Sequence, residues 1–246
     1  MIAPYGSSAD RRRLRRPAAV AGLALVLLTG CSSSAGAGGS ASGPRPDEET
    51  RRLISAGLRA DGRREEARVV TLGGSRLTPV EAPALRDWTI YRVEYRQGPH
   101  PVLLHVAAGD GQADLLTGSP KAFAKVMAAD AGTVADAGAA AALARIYVET
   151  TRPGGILTYV VGRVEDIKFR PGIAGDDARH RDEIVAEYRS RIKAPAAVAD
   201  GEGYDATVYA VRDKALQRHD IAVSANGAVK DDVTTLVSDL PVPYTL

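Results

Sequence analysis

The spacing of apolar positions changes along the chain, and each change predicts an element. Thr50, Leu53, Ile54, Gly57 and Leu58 recur at helical spacing, behind Asp47, Glu48 and Glu49, which suit a helix start. Asp61-Gly62 ends that helix. Residues 67–72 (Ala-Arg-Val-Val-Thr-Leu) read as a strand stopped by Gly73-Gly74, and 78–85, with Pro79 and Pro83, as loop. Alternation is clearest over 88–95, where Thr89, Tyr91, Val93 and Tyr95 interleave with Trp88, Ile90, Arg92 and Glu94. Gln97-Gly98-Pro99 turns the chain into a strand over 102–107, and Asp110-Gly111 predicts a tight hairpin into a strand at 113–117.

Ser119-Pro120 then supplies a cap and a first-turn proline for a helix whose apolar face is Phe123, Val126 and Met127. Asp136 opens an Ala-rich helix with Leu143, Ile146, Tyr147 and Thr150 along one face; Arg152-Pro153-Gly154-Gly155 stops it. A long strand, bent at Gly162, is expected over 156–169. Asp176-Asp177 begins a helix carrying Ile184, Val185, Tyr188 and Ile192, ended by Pro195. Strands over 204–212, 219–225 and 229–237 follow, with Asn226-Gly227 as a hairpin turn and an extended tail at 240–244.

Helices preceding antiparallel strands, twice, predict an α+β fold of two tandem helix-plus-sheet units, 47–130 and 131–246. An apparent repeat supports this. Thr89-Ile90-Tyr91-Arg92-Val93 matches Thr207-Val208-Tyr209-Ala210-Val211 at an offset of 118, and 104–106 matches 221–223 at 117. Helix first, then long strands joined by tight turns, resembles the cystatin-like and NTF2-like class. That resemblance implies a curved sheet wrapped round a helix, with a cone-shaped cavity.

The N-terminal region has a different texture. Arg11, Arg12, Arg13, Arg15 and Arg16 form a basic head, and the 14 residues 17–30 are nearly all apolar or small. A bilayer-spanning helix needs about 20. Basic head, short apolar centre and small residues before a cut site are the parts of a secretory signal. Leu28-Thr29-Gly30-Cys31 resembles a bacterial lipobox. The resemblance implies cleavage between Gly30 and Cys31, diacylglyceryl and palmitate-type acylation at Cys31, and anchoring to membrane lipid on the extracytoplasmic face. The Arg run leaves both general secretory and twin-arginine export open. Residues 1–30 therefore read as a lipoprotein signal peptide, and 31–46, rich in Ser, Gly, Ala and Pro, as a flexible tether.

Charge then looks different. Residues 1–30 hold five arginines and one aspartate, leaving 27 basic and 29 acidic residues in the remainder, a net of −2. A nucleic-acid partner is not indicated. Cys31 is the only cysteine, so the folded part has no disulfide. Arg far outnumbers Lys, and Ala and Gly abound, which suggests a GC-rich actinobacterial genome.

Candidate chemistry is sparse. Ser190-Arg191-Ile192-Lys193 and Ser224-Ala225-Asn226 match two of the three motifs of penicillin-recognising enzymes, but no Lys-Thr-Gly follows. Asp176, His180 and Glu183 share a helix face at metal-ligand spacing, with dipole-favouring acids and a surface His as the plainer reading. His105 reads as a structural strand histidine and His219 as a surface one. Trp88, Tyr91, Tyr95, Tyr159 and Tyr209 are the residues that would line a cavity, if they converge. No catalytic, metal-binding or cofactor-binding residue is assigned, no cofactor is expected, and the chain reads as a non-enzyme.

Trp88-Thr89-Ile90-Tyr91-Arg92-Val93 and Asp239-Leu240-Pro241-Val242-Pro243-Tyr244, with the lipobox, resemble streptomycete envelope lipoproteins of the Cse type. The resemblance implies negative modulation of an envelope-stress two-component system, through the sensor kinase's extracellular domain or a cell-wall component. The alternatives are a small-ligand or enzymatic NTF2-like cavity protein, and a passive cell-wall or assembly factor.

Overall fold

The computed structural model describes residues 46–97 and 100–243. Gly30, Cys31, the rest of the signal and tether up to residue 45, Gly98-Pro99 and Tyr244 lie outside the described residues. Helix α1 (Pro46–Ala60) and helix α2 (Arg64–Thr71) form a hairpin. Asp47 sits inside the first turn of α1 rather than capping it. Strands β1 (Arg76–Val80), β2 (Thr89–Gln97), β3 (His100–Gly109) and β4 (Gln112–Leu115) follow as an antiparallel meander in chain order. Ile54, Leu58, Ala67 and Val70 pack with Val93, Leu104 and Val106 on one face of this sheet. Gly57 lets α1 lie against β4: a Cβ there would stand 2.9 Å from the Ala113 Cβ. Asp110 and Gly111, at φ 47° and 70°, make the β3–β4 turn.

Helix α3 (Pro120–Asp130) begins where Ser119 Oγ accepts from the Ala122 N–H at 3.1 Å, and helix α4 (Ala137–Thr150) where Asp136 accepts from the Ala139 N–H at 2.8 Å. Lys125 Nζ donates to the buried Asp114 of β4 at 2.8 Å, pinning α3 to the first sheet. Next come β5 (Thr158–Val161), a 3₁₀ turn (Val164–Asp166), α5 (Gly175–Tyr188), β6 (Ala196–Asp200), β7 (Gly203–Arg212), β8 (Ala215–Ser224) and β9 (Val229–Val237). In this second antiparallel sheet β5 and β6 both pair with β7, followed by β8 and β9.

The fold is α+β, with two antiparallel sheets. A central core fills the space between them. Ile90 and Ala107 of the first sheet, Phe123, Met127, Leu143 and Ala144 of α3 and α4, and Val208, Ile221 and Val223 of the second sheet belong to it. The outer face of the second sheet carries a third core of Val161, Val211 and Leu216 under Ile184, Tyr188 and Ile192. Leu240 and Val242 belong to this third core. The Leu240 N–H donates to the Lys214 carbonyl at 2.7 Å and the Arg170 N–H to the Pro241 carbonyl at 2.8 Å, so residues 240–242 are a clamp, not a loose tail.

Several local expectations change. Residues 67–72 are not a strand: 64–71 form α2, because Ala67 and Val70, one helical turn apart, complete the apolar seam with α1. Residues 76–80 are a strand despite Pro79, because β1 is an edge, where a missing N–H leaves no ladder bond unmade. The expected strand over 156–169 shortens to β5. Asp166 accepts from the N–H groups of Gly162 and Arg163 at 2.9 and 3.1 Å, and this stabilises the 3₁₀ turn instead. Strand β8 starts four residues earlier than expected, and β6 was not expected at all.

The repeat holds in topology but not in register. Thr89 pairs with Ala108, whereas its counterpart Thr207 pairs with Asp220. Ile90 and Val208 both face the central core, yet Leu104 lies under α1 and its counterpart Ile221 lies in the central core. Strand composition, rather than a shared strand phase, accounts for that match.

Candidate functional site: a buried histidine–carboxylate pair beyond the end of a helix

Helix α4 has 14 residues, about 21 Å at 1.5 Å per residue, whereas β7 and β8 have 10 each, about 33 Å. The helix therefore leaves part of the inner sheet face uncovered. Past Thr150 the sheet residues turn polar. Gln217 and His219 of β8 share the face of Ile221 and Val223, and Asp231 of β9 lies opposite Ile221. Thr158 of β5 pairs with Arg212 of β7 on the same face. Tyr147, Thr151 and Arg152 approach from the end of α4, and Gly118 and Pro120 from the start of α3. All of these except Thr150, Gln217, Ile221 and Val223 line a cavity of about 180 Å³.

His219 is the centre of the site. It is only 4% exposed, and its Nδ1 lies 2.9 and 3.1 Å from the two Asp231 carboxylate oxygens. The carboxylate thus engages Nδ1 and fixes the orientation of the ring. Nε2 is buried and has no hydrogen-bond partner among the described residues. Burial, and then the Asp231 carboxylate, raise the Tyr147 phenol above its ordinary pKa, so it remains an O–H donor. Its ring is held by Phe123, edge-on at 5.3 Å between centroids. Arg152 spends one N–H on the Ile156 carbonyl (3.0 Å) and one on that of Leu103 (3.4 Å), both backbone groups. Burial, then Arg92, lowers its pKa. The guanidinium of Arg212 has no ion-pair or hydrogen-bond partner among the described residues. The cavity wall thus carries the His219–Asp231 pair beside two guanidiniums and a phenol.

Comparison with family models, with curated proteins and with solved structures returned no match.

The residues singled out by sequence are scattered. His219, expected at the surface, is buried in the cavity, because its strand parity is that of Ile221 and Val223. The five aromatics do not converge. Trp88 belongs to the central core, Tyr91 and Tyr95 pack against the core under α1, and Tyr159 and Tyr209 against the third. Ser190 and Lys193 are exposed past the end of α5, and the Ser224 hydroxyl is occupied within its own hairpin turn by Asn226 Oδ1 (2.5 Å) and Ala228 (3.0 Å). Asp176 pairs with Arg179, and His180 lies 4.0 Å from the exposed Glu183. Among the described residues no three side chains are grouped to hold a metal. Tyr147, Arg152, Arg212 and Asp231 were not singled out as functional. Strand parity would have turned Arg212, His219 and Asp231 inward, since each shares the face of apolar neighbours two residues away.

His105 is buried on the first sheet, 6% exposed, and its Nδ1 has no partner among the described residues. Burial first, then Arg152 and Arg92, lowers its pKa to about 3. The folded protein keeps it neutral, while the unfolded chain protonates it near pH 6.5. Its contribution is therefore fully present above pH 6.5 and is lost as pH falls from there toward 3, at up to about 1.4 kcal/mol per pH unit. In urea unfolding at pH 7.0 and 5.0, the wild type should lose about 2 kcal/mol more than His105→Gln loses over the same interval. Equal losses would refute this assignment.

Proposed function

We propose that the chain is a lipid-anchored extracytoplasmic binding protein with a regulatory role, damping a cell-envelope stress two-component system. The observation that carries the binding role is the buried His219–Asp231 pair in the wall of a cavity that Tyr147, Arg152 and Arg212 also line. A general base needs a nucleophile's proton within hydrogen-bond reach. Nε2 has no Ser, Thr or Cys partner among the described residues, which favours reception of a ligand over nucleophilic catalysis. A cone-type ligand cavity has less support, because α3 and α4 fill the space between the sheets.

Two measurements test the proposal. Deleting the gene should raise envelope-stress reporter output in unstressed cells, and restoring the wild-type chain should lower it. Unchanged output, with and without a wall-active antibiotic, would reject the regulatory role. Separately, Cys31→Ser should move the protein from the membrane to the soluble fraction; equal membrane retention would reject the anchor.

A further inference from the structure

We propose that strand β9 is a docking edge for a second copy of the chain, the two β9 strands pairing antiparallel about a two-fold axis at Val233.

The edge strands of the two sheets are not equivalent. In the first sheet Pro79 leaves β1 without one N–H, and β4 has only 4 residues, packed against α1. In the second sheet β5 and β6 share one side of β7, with 4 and 5 residues. Strand β9 has 9 residues, with neither proline nor glycine. Among the described residues no strand pairs with its outer side.

The hairpins set the phase of its backbone. Arg212 and Ala215 flank a two-residue turn and so form a narrow, doubly hydrogen-bonded pair. Counting in twos, Gln217, His219 and Ile221 turn their backbone groups to β7, and Arg218, Asp220 and Ala222 turn theirs to β9. The Ser224 N–H, which donates to the Ala228 carbonyl at 3.0 Å, keeps this phase. Lys230, Asp232 and Thr234 therefore bond back to β8, while Asp231, Val233 and Thr235 present their N–H and C=O groups outward.

That edge is complementary to itself. With the axis at Val233, Asp231 stands opposite Thr235 of the second copy, Lys230 opposite its Leu236, and Asp232 opposite its Thr234. Val233, 42% exposed, meets Val233 of the second copy. No like charges face each other. Any other centre shortens the overlap, and Asp231 or Asp232 as centre sets two aspartates directly opposite. An inward-pointing charge ordinarily guards an edge strand. On β9 that charge is Asp231, and His219 already engages it at 2.9 Å, so an added strand buries no lone carboxylate.

The test uses the full chain in detergent, with light scattering after size exclusion. The wild-type dimer fraction should grow between about 1 μM and 0.5 mM. Val233→Pro removes one N–H that points away from β8, so the ladder within the chain survives. It should need at least about tenfold more protein for the same dimer fraction. A second readout needs no proline. In a Cys31→Ser background, Val233→Cys should give a disulfide-linked dimer under mild oxidation, because the Cα atoms of a narrow pair stand about 5.5 Å apart. Lys230→Cys should not, because Lys230 pairs with Leu236 of the second copy and lies roughly 20 Å from that copy's Lys230. A wild type that stays monomeric to about 0.5 mM, or linkage of Lys230→Cys rather than Val233→Cys, would overturn the assignment. So would capture of the Val233→Cys thiol in intact cells by a different protein and not by its own copy, which would give the edge to another occupant.

Discussion

Asp130→Ala is expected to destabilise the protein by about 3–5 kcal/mol, among the largest losses for any single substitution. Asp130 is the last residue of α3 and is 4% exposed. Its carboxylate accepts from three consecutive backbone N–H groups, those of Arg86, Asp87 and Trp88, at 2.8, 2.7 and 2.8 Å. This one side chain fixes the entry into β2 and ties it to the end of a helix more than 40 residues away. Alanine leaves three donors facing a void that no neighbouring acceptor fills. An orphaned buried donor costs about 1–3 kcal/mol, and the Trp88 N–H is the most deeply placed of the three. The corner also has no slack: a Cβ on Gly132 would stand 2.1 Å from the Ala84 carbonyl oxygen. Asp130→Asn keeps one acceptor oxygen and should recover part of the loss. Trp88 is the only tryptophan and is itself buried, so its emission reports directly on the corner. A thermal midpoint lowered by about 10 °C is expected for the alanine variant. A shift under about 2 °C would mean that the loop holds its shape without the carboxylate.

Phe123→Ala should destabilise by a similar amount, about 3–5 kcal/mol, for a different reason. Phe123 is among the largest fully buried side chains and lies in the core shared by the two sheets. Removing it opens a cavity that Val126 and Met127, fixed on the same helix, cannot fill. It also removes the ring that holds Tyr147 edge-on. Tyr147 would therefore lose its orientation at the cavity wall even under conditions where the variant stays folded. Phe123→Leu keeps most of the apolar volume and should cost about 1 kcal/mol, while still releasing Tyr147. Chemical denaturation gives the stability and the Tyr147 ring resonances its orientation. Unchanged Tyr147 ring resonances in a folded Phe123→Leu variant would mean that Phe123 does not hold that ring in place.

The features legible in the sequence are those decided within a few residues. Ser119-Pro120 and Asp136 cap the helices they were expected to cap, and Asp110-Gly111 and Gly227 take positive φ in the turns they were expected to make. Elements decided by distant partners were not legible. Arg64–Thr71 is a helix because α1 offers it a seam, and the short Ala-Arg-Val-Val run alone fits either period. Strands β1 and β6 carry little alternation, because an edge strand is half exposed on both faces. The site lies between these extremes. Asn226-Gly227 marks the hairpin that sets Ile221 opposite Asp231, and so brings His219 within reach of the carboxylate. Arg152-Pro153-Gly154-Gly155 marks the end of the helix. Nothing local says that this helix lies on that hairpin, and the cavity exists only because it does.

The clamp at 240–242 bears on the order in which the molecule assembles. The core under α1 draws on residues 54–115, a span that closes with short loops. The outer core under α5 needs Val161 and Val242, roughly 80 residues apart, in the same place. Long closures form late in folding because their entropy must be lost before their contacts form. The first sheet and its helices therefore set the frame early, and the outer layer remains open until the clamp closes over Leu216. Nascent chains halted before Leu240 would hold the first layer in place with the last one unsealed.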